Sequence, residues 1–229
     1  MNLKDTVKSV LSPPHKAGYP FIAGGVVVAL LGLLFWKPLA WLGLLFTLFC
    51  LYFFRDPERV PPPRANAVLA PADGLVVSIM EAVPPAELGL TPEPRLRVAI
   101  FLSVLDVHVN RAPIAGMVQK IAYHRGLFLS AAEDKASDDN ERNSILLRTP
   151  FGQELVVVQI AGLIARRIIC DIAEGQALLA GQRIGIIRFG SRTDIYLPHG
   201  AAPLVAVGQR MIGGETVIAE LPEPLPAVI

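Results

Sequence analysis

The stretch AGYPFIAGGVVVALLGLLFWKPLAWLGLLFTLFCLYFF, residues 17–54, divides this chain of 229 residues into two parts of different composition. Between Phe21 and Phe54, 27 of the 34 residues are apolar, and both tryptophans of the chain lie there. The whole chain is 52% hydrophobic and 18% charged, but outside this stretch the apolar fraction is ordinary for a globular protein. We therefore predict a membrane segment over residues 1–54, followed by one soluble body with a single core.

The membrane segment is long enough for two helices. The uncharged residues 17–36 are followed by Lys37 and Pro38, which favour a turn, and residues 39–54 form a second apolar run. Basic residues precede the first run and follow the second, so both ends are expected on the cytoplasmic side. We predict a helical hairpin in the cell (inner) membrane, with the soluble body on the cytoplasmic face. A pair of helices only partly immersed in the bilayer is the alternative.

The soluble body follows a stiff connector, because residues 55–66 are charged and rich in proline. Over residues 67–229, short β-branched runs are separated by Gly, Pro and Asp, and few windows have a helical period. This pattern predicts a mainly β domain, of the β-rich α+β class. Two segments within it, Ile172–Gly185 and Val205–Ala219, are similar to each other and resemble the glycine-turn hairpins of lipoyl and biotinyl domains.

The composition argues against several functional classes. A net charge of +1 gives no electrostatic basis for nucleic-acid binding. The two cysteines, Cys50 and Cys170, cannot form a disulfide framework or a zinc site, and we expect no metal. The tripeptide Asp134-Lys135-Ala136 resembles a lipoyl acceptor, but it lies in a polar, acid-rich run that predicts a loop. An acceptor lysine needs a tight hairpin tip, so a carrier function is the weaker hypothesis.

Three polar sites interrupt apolar surroundings and together suggest catalysis. Asp73 lies in a turn before an apolar strand, His108 lies among valines in a β-branched run, and Ser191 follows Gly190 at a strand end. Each alone has an ordinary explanation as a turn or core residue. Together they suggest an orienting acid, a base and a nucleophile. Because Gly190 lets the backbone twist, the serine hydroxyl can reach the preceding carbonyl of its own chain as readily as an outside ester.

Five ordered motifs resemble the short-form phosphatidylserine decarboxylases. They cover about 140 residues in addition to the hydrophobic leader. In chain order they are Phe53-Phe54-Arg55-Asp56-Pro57, Pro71-Ala72-Asp73-Gly74, Leu105-Asp106-Val107-His108-Val109-Asn110-Arg111, Asn140-Glu141-Arg142 and Phe189-Gly190-Ser191. Five motifs in order are far more specific than any one of them.

This resemblance implies a self-cleaving proenzyme with a pyruvoyl cofactor. In that family the chain is cut between the residues that match Gly190 and Ser191, which here would give a β chain 1–190 and an α chain 191–229. Ser191 would become the pyruvoyl group, with His108 as the base and Asp73 holding its tautomer. The pyruvoyl group would form a Schiff base with the amine of phosphatidylserine, accept the electrons left by carbon dioxide, and allow release of phosphatidylethanolamine.

The resemblance leaves the remaining site residues less defined. Longer bacterial members carry a second histidine where this chain has Leu105, so the acid that protonates the carbanion is either His108 again or His124. Arg111 and Arg142 are candidates for binding the substrate phosphate, and a homodimer is left open. Two other functions stay as alternatives, a lipid-directed serine hydrolase with the same three residues and a lipoyl-like carrier or adaptor module.

Overall fold

The structure is a computed structural model, and it describes residues 12–128, 139–162, 167–188 and 190–222. The predicted acceptor tripeptide with Lys135 lies outside the described residues, as does Phe189. The chain divides into two compact units, Met1–Glu58 and Arg59–Ile229. The predicted connector, residues 55–66, is divided between these units after Glu58. Its residues Arg59, Val60 and Arg64 hydrogen bond to other residues of the second unit.

The first unit contains the predicted helical hairpin. A 3-10 turn at Lys16–Gly18 leads into α1, Tyr19–Phe35, and α2 follows at Lys37–Phe53. Trp36 alone separates the helices, in an extended conformation. The second helix begins two residues earlier than predicted, because proline fits the first turn of a helix, where its missing N–H leaves no bond unmade.

The two helices pack closely through small residues. A Cβ added to Gly43 would lie 2.4 Å from the backbone nitrogen of Ala29, and one added to Gly32 would lie 2.2 Å from that of Ala40. Large apolar side chains point outward instead, and Phe35 is 81% exposed. Among the described residues, one helix, Lys16–Phe35, is long and apolar enough to cross a membrane, whereas Lys37–Phe53 is shorter. Small residues between helices and large apolar residues outside are the arrangement that a lipid environment favours.

The second unit is built almost entirely from short antiparallel strands, as predicted. The described residues form β1 (Ala67–Leu69), β2 (Gly74–Ala82), β3 (Arg95–Leu102), β4 (Val109–Arg111), β5 (Gly116–His124), β6 (Arg142–Arg148), β7 (Glu154–Ala161), β8 (Ile168–Cys170), β9 (Ala177–Leu178), β10 (Arg183–Ile187), β11 (Ser191–Tyr196), β12 (Arg210–Met211) and β13 (Val217–Glu220). A 3-10 turn at Ala86–Leu88 lies between β2 and β3. The prediction of a mainly β unit after an apolar helical hairpin is therefore confirmed, while the lipoyl-like character of its hairpins stays a prediction.

The strands form one large sheet and two small ones. The large sheet has the order β12-β2-β3-β11-β7-β6-β5-β9, and the small sheets are β4-β10-β8 and β1-β13. The large sheet is one layer and the two small sheets are the other. Their apolar side chains meet in one core, for example Ile100 and Ile195 of the large sheet with Ile184 and Ile218 of the small sheets. Strand β11 lies at the centre of the large sheet and pairs along all its residues with β3 and β7.

The two similar sequence segments adopt the same turn on two different strands. Residues 173–176 form a turn whose backbone exchanges two hydrogen bonds with Val118 of β5. Residues 206–209 form the same turn and exchange two equivalent bonds with Val76 of β2. In both turns the last residue is a glutamine, and its side-chain oxygen accepts a hydrogen bond from the backbone N–H of the first residue. The strand order of the large sheet has the same symmetry, because β12-β2-β3-β11 corresponds to β9-β5-β6-β7, so the second unit contains two similar halves.

The turn at Ala86–Leu88 is tied to the large sheet by the Glu87 carboxylate. Glu87 accepts hydrogen bonds from Arg142 Nε at 2.7 Å, from Arg142 Nη2 at 3.0 Å and from Ser144 Oγ at 3.0 Å. Burial alone would raise the pKa of Glu87, but these bonds and the Arg142 charge outweigh it and lower the pKa from 4.5 to about 2. Leu88 beside it packs onto Val156 and Val158 of β7.

Glu87→Gln should therefore reduce stability in a pH-dependent way. The folded-state pKa lies below the unfolded one, so the contribution is complete above pH 4.5 and is lost as the pH falls toward 2. We expect wild type to exceed Glu87→Gln by about 1 kcal/mol at pH 7, after allowance for solvent screening, and the two to converge near pH 2. Urea unfolding of the full chain in detergent measures this. Glu81→Gln, at an exposed position of β2, is the control, and its free energy of unfolding should stay close to that of wild type at every pH.

Candidate active site

Ser191 is the first residue of β11 and is fully buried. Alternation along the strand directs Ser191, Thr193 and Ile195 toward the core between the layers, because Ile195 packs there. Among the described residues the Ser191 hydroxyl has no hydrogen-bond partner. A buried hydroxyl without a partner costs free energy, and such groups in native proteins commonly have a chemical role. The Ser191 hydroxyl therefore has no described hydrogen bond that a reaction would have to break.

Gly190 precedes Ser191 in a left-handed conformation, with φ at +65°. An added Cβ would meet no described atom within 4 Å, so space does not select glycine here. The positive φ does, because a Cβ at this angle crowds the following carbonyl. The chain turns sharply at the peptide that joins Gly190 to Ser191.

His108 is fully buried and contacts the backbone N–H of Gly190, one residue before the Gly190–Ser191 bond. Its Nε2 accepts a hydrogen bond from the backbone N–H of Gly190 at 3.3 Å, and its Nδ1 lies 3.0 Å from the carbonyl oxygen of Asp106. A carbonyl can only accept, so Nδ1 carries the proton and Nε2 presents its lone pair toward the Gly190 peptide. The backbone oxygen of His108 accepts from Ile187 N and Asn110 Nδ2, which fixes the residue just before β4.

The turn that delivers His108 is held by the Asp106 side chain. Asp106 Oδ2 accepts from Ser103 N at 2.8 Å and from Ser103 Oγ at 2.7 Å, and Oδ1 accepts from Arg210 Nη1 at 2.9 Å. Burial raises the pKa of Asp106, but the bonds from Ser103 and Arg210 outweigh it and hold the pKa below its usual range. Sequence reasoning missed this role, although a serine three residues before an aspartate is a recognisable turn signal.

Asp73 lies at the same edge of the large sheet as the Gly190–Ser191 peptide. Leu75, Phe101 and Arg192 are partners in one row across β2, β3 and β11. Asp73 and Gly190 each come two residues before a member of that row, with only β3 between them. The backbones at Asp73 and Gly190 are therefore two strand spacings apart, which is about 10 Å.

The Asp73 carboxylate is bonded to groups other than His108. It accepts from Arg59 Nη2 at 2.7 and 3.0 Å and from the backbone N–H of Gly213 at 2.8 Å. Burial, supported by the negative charge of Asp106, raises the pKa of Asp73 despite these bonds. The structure thus brings Asp73 to the site's edge, whereas the group at His108 Nδ1 is the carbonyl of Asp106.

The other half of the second unit shows that this acid is not required by the turn. The sequence Ala70-Pro71-Ala72-Asp73-Gly74 before β2 corresponds to Ala112-Pro113-Ile114-Ala115-Gly116 before β5. An added Cβ at Gly74 or at Gly116 would collide with the neighbouring strand's backbone, so the two turns share their close approach to the sheet. Ala115 stands where the first turn has Asp73. A residue needed only for folding would be expected in both.

The three other predicted site residues, Arg111, His124 and Arg142, occupy other places. Arg111 is buried and donates to the Gly181 carbonyl at 3.0 Å. His124 and Arg142 belong to one row with Ile160 and Arg192 across the large sheet. Directly opposed residues project to the same face, so both side chains share the Arg192 face, whereas Ser191 projects to the other. The structure does not bring His124 or Arg142 to the Ser191 side of the sheet, and substrate contact by any of the three stays a prediction.

Comparisons with known proteins test the resemblance that the sequence motifs predict. The sequence pattern described as phosphatidylserine decarboxylase matches residues 46–219. A protein of Granulibacter bethesdensis is 64% identical over 221 residues, covering 96% of this chain and 91% of the relative. A protein of Cereibacter sphaeroides is 55% identical, covering 95% and 94%, and one of Gluconobacter oxydans is 58% identical, covering 96% and 100%. All three are named phosphatidylserine decarboxylase proenzyme.

The matched region contains both edges of the site, from the Asp73 turn to the Gly190–Ser191 peptide and beyond. Identity above one half extends over nearly the whole length of each relative, so the likeness is not confined to one motif. The resemblance expected from five short motifs is confirmed, and the chain belongs to the phosphatidylserine decarboxylase family.

Proposed function

We propose that this chain is a self-processing decarboxylase that converts phosphatidylserine to phosphatidylethanolamine. The observation that carries the proposal is the contact between His108 Nε2 and the Gly190 backbone, beside a buried Ser191 hydroxyl without a described partner. The nucleophile and the carbonyl to be attacked belong to one turn of the chain, and the base contacts the Gly190 N–H in that turn. These residues fit the formation of a pyruvoyl group from Ser191.

Self-cleavage uses only groups of the chain itself. His108 accepts the Ser191 hydroxyl proton as the oxygen attacks the Gly190 carbonyl carbon, and the peptide bond is replaced by an ester. Loss of the Ser191 Cα proton then expels the Gly190 carboxylate. This leaves an unsaturated, amino-bearing residue at the start of the new chain, which water converts to the pyruvoyl group with release of ammonia.

Asp73 acts in this scheme through its charge. Its carboxylate lies at the same edge of the sheet, in surroundings that bury most of its surface. Arg59 balances part of this charge, and the remainder favours the protonated form of His108 after the histidine accepts the proton. The Asp106 carbonyl meanwhile keeps the ring in the tautomer that a base requires.

The pyruvoyl group, once formed, supplies an electron sink for the carbanion left when carbon dioxide departs. The chain contributes its position, because Ser191 pairs with Leu102 of β3 and Ala161 of β7. For the proton that completes the reaction, His108 is the better placed of the two predicted histidines. His124 lies three strand spacings away and projects to the opposite face of the sheet.

The membrane supplies the substrate in this proposal. The outward apolar side chains of α1 and α2 support insertion into the cell (inner) membrane, with the second unit on the cytoplasmic face. Phosphatidylserine is the partner, and the β chain 1–190 stays with the α chain 191–229 after the cut. The basic residues that flank the hairpin support this orientation.

A lipid-directed serine hydrolase with the same three residues is less well supported. A hydrolase nucleophile must be reached by an outside ester, but Ser191 is fully buried in the uncut chain. A carrier function would depend on Lys135, which lies outside the described residues. An uncut, active wild type would favour the hydrolase, and modification of Lys135 would favour the carrier.

Ser191→Ala should yield a single uncut chain without decarboxylase activity, because the nucleophile is absent. Intact-mass measurement of the purified protein reports the cut and the new terminal group together. Ser144→Ala is the matched control, since Ser144 is also buried but donates its hydroxyl to Glu87 on the other face of the sheet. We expect that control to be cut like wild type. Normal cutting of Ser191→Ala contradicts the proposal.

Asp106→Ala should slow self-cleavage by about tenfold or more, because the Ser103 turn loses its acceptor and the carbonyl that orients His108 shifts. Asp106→Asn keeps an acceptor oxygen for Ser103 and should stay close to wild type. The rate is followed by gel electrophoresis of newly synthesised full-length chain, with Glu81→Ala as control. Equal rates for the alanine and asparagine variants, both near wild type, would remove Asp106 from the site.

Borohydride treatment in the presence of phosphatidylserine should attach the lipid amine covalently to the small chain. The physical reason is that a ketone at residue 191 is the predicted electrophile. Peptide mass mapping locates the adduct, and Ser191→Ala should give none. An adduct on a lysine of the large chain would point to a different cofactor and count against the proposal.

A further inference from the structure

Three buried amide side chains connect the two layers of the second unit behind His108. Asn143 Nδ2 donates to Gln159 Oε1 at 2.9 Å, Gln159 Nε2 donates to Asn110 Oδ1 at 2.8 Å, and Asn110 Nδ2 donates to the His108 carbonyl at 3.2 Å. All four residues are at most 1% exposed. We call Asn143, Gln159 and Asn110 the amide relay.

The relay has one hydrogen-bonding arrangement. Each amide in its middle donates to the next residue through nitrogen and accepts from the previous one through oxygen. If the Gln159 amide were turned over, its nitrogen would face the Asn143 nitrogen, which is also a donor. Its oxygen would face the Asn110 oxygen, which is also an acceptor. Buried polar networks that are fully bonded are rigid for this reason. The relay therefore transmits the position of the large sheet to the backbone of His108.

One end of the relay contacts the backbone of His108, and its middle residue lies on the strand next to β11, which carries Ser191. Gln159 lies on β7 directly opposite Thr193 of β11, two residues from the pair formed by Ala161 and Ser191. His108 lies just before β4, which pairs with β10 in a small sheet. The base and the nucleophile are thus on different layers, and the relay is a buried polar link between those layers.

We propose that Gln159 is a positioning residue, which through Asn110 sets the placement of His108 over the Gly190–Ser191 peptide. This inference rests on the proposed self-cleavage. A purely apolar contact between the layers would allow sliding, because hydrophobic packing is not directional. Hydrogen bonds of fixed length and direction define the distance between the base and the carbonyl that is attacked. An error of about 1 Å in such a distance costs on the order of 100-fold in rate.

The test compares self-cleavage with folding in the full chain. Gln159→Met keeps the length of the side chain and removes the amide. Because it leaves Asn110 and Asn143 without their bonds, a second variant replaces all three amides, Asn110→Leu with Gln159→Met and Asn143→Leu. Gln119→Met, at an exposed position of β5, is the matched control. Each chain is synthesised without cells in lipid nanodiscs, and the protease-resistant, folded fraction is measured alongside the cut fraction from pH 5.5 to pH 9.

We expect the cleavage rate per folded chain to fall by about 10- to 100-fold in Gln159→Met and in the triple variant, at every pH. The pH midpoint should stay near that of wild type, since His108 keeps its Nδ1 contact. A merely structural relay would lower the folded fraction and leave the rate per folded chain unchanged. That result, or unfolding of both variants without a folded, slow fraction, overturns the inference. An uncut wild type would instead count against the proposed function.

Discussion

The buried pairing of β11 on both sides is the constraint on which the site depends. Ser191 begins this strand, and every residue from Ser191 to Tyr196 has a partner on β3 and on β7. Because Ser191 in such a place cannot reach outward, the proposed attack is on a carbonyl of its own chain. On the other face of the strand, Arg192 and Asp194 form a fully buried ion pair at 2.6 Å, which fixes the residue next to the nucleophile. A strand held in this way retains its first residue when the chain before it is cut.

His108, the proposed base, comes from a different part of the fold and is held by its own set of contacts. Its carbonyl, its Nδ1 and its Nε2 each have a defined contact, with Asn110, Asp106 and Gly190 respectively. Two of these contacts are made to backbone groups, which no substitution of the contacted side chain removes directly. The chemistry of the site is therefore encoded as much in the conformation of two turns as in the identity of the reacting side chains.

The sequence predicted those features that depend on local pattern. The helical hairpin follows from length and hydropathy, and the proximity of His108 to Gly190 follows from family motifs. The side of the sheet on which Arg142 lies did not follow, because a shift of one residue in register moves a side chain to the opposite face. The partner of Asp73 was also not predictable, since Arg59 lies outside the resembling motifs. Gln159 sits in the run Leu155-Val156-Val157-Val158-Gln159-Ile160, which reads as a core strand with one polar interruption.

The two similar halves of the second unit have a consequence for stoichiometry. A scaffold with an internal repeat offers two matching edges, yet Asp73 has an alanine as its counterpart and the repeat provides one Gly-Ser peptide beside a histidine. The groups proposed to react therefore have no counterparts in the matching positions of the repeat. Under the proposed self-cleavage, each molecule matures once, into two chains of very unequal length, and holds a single reactive terminus.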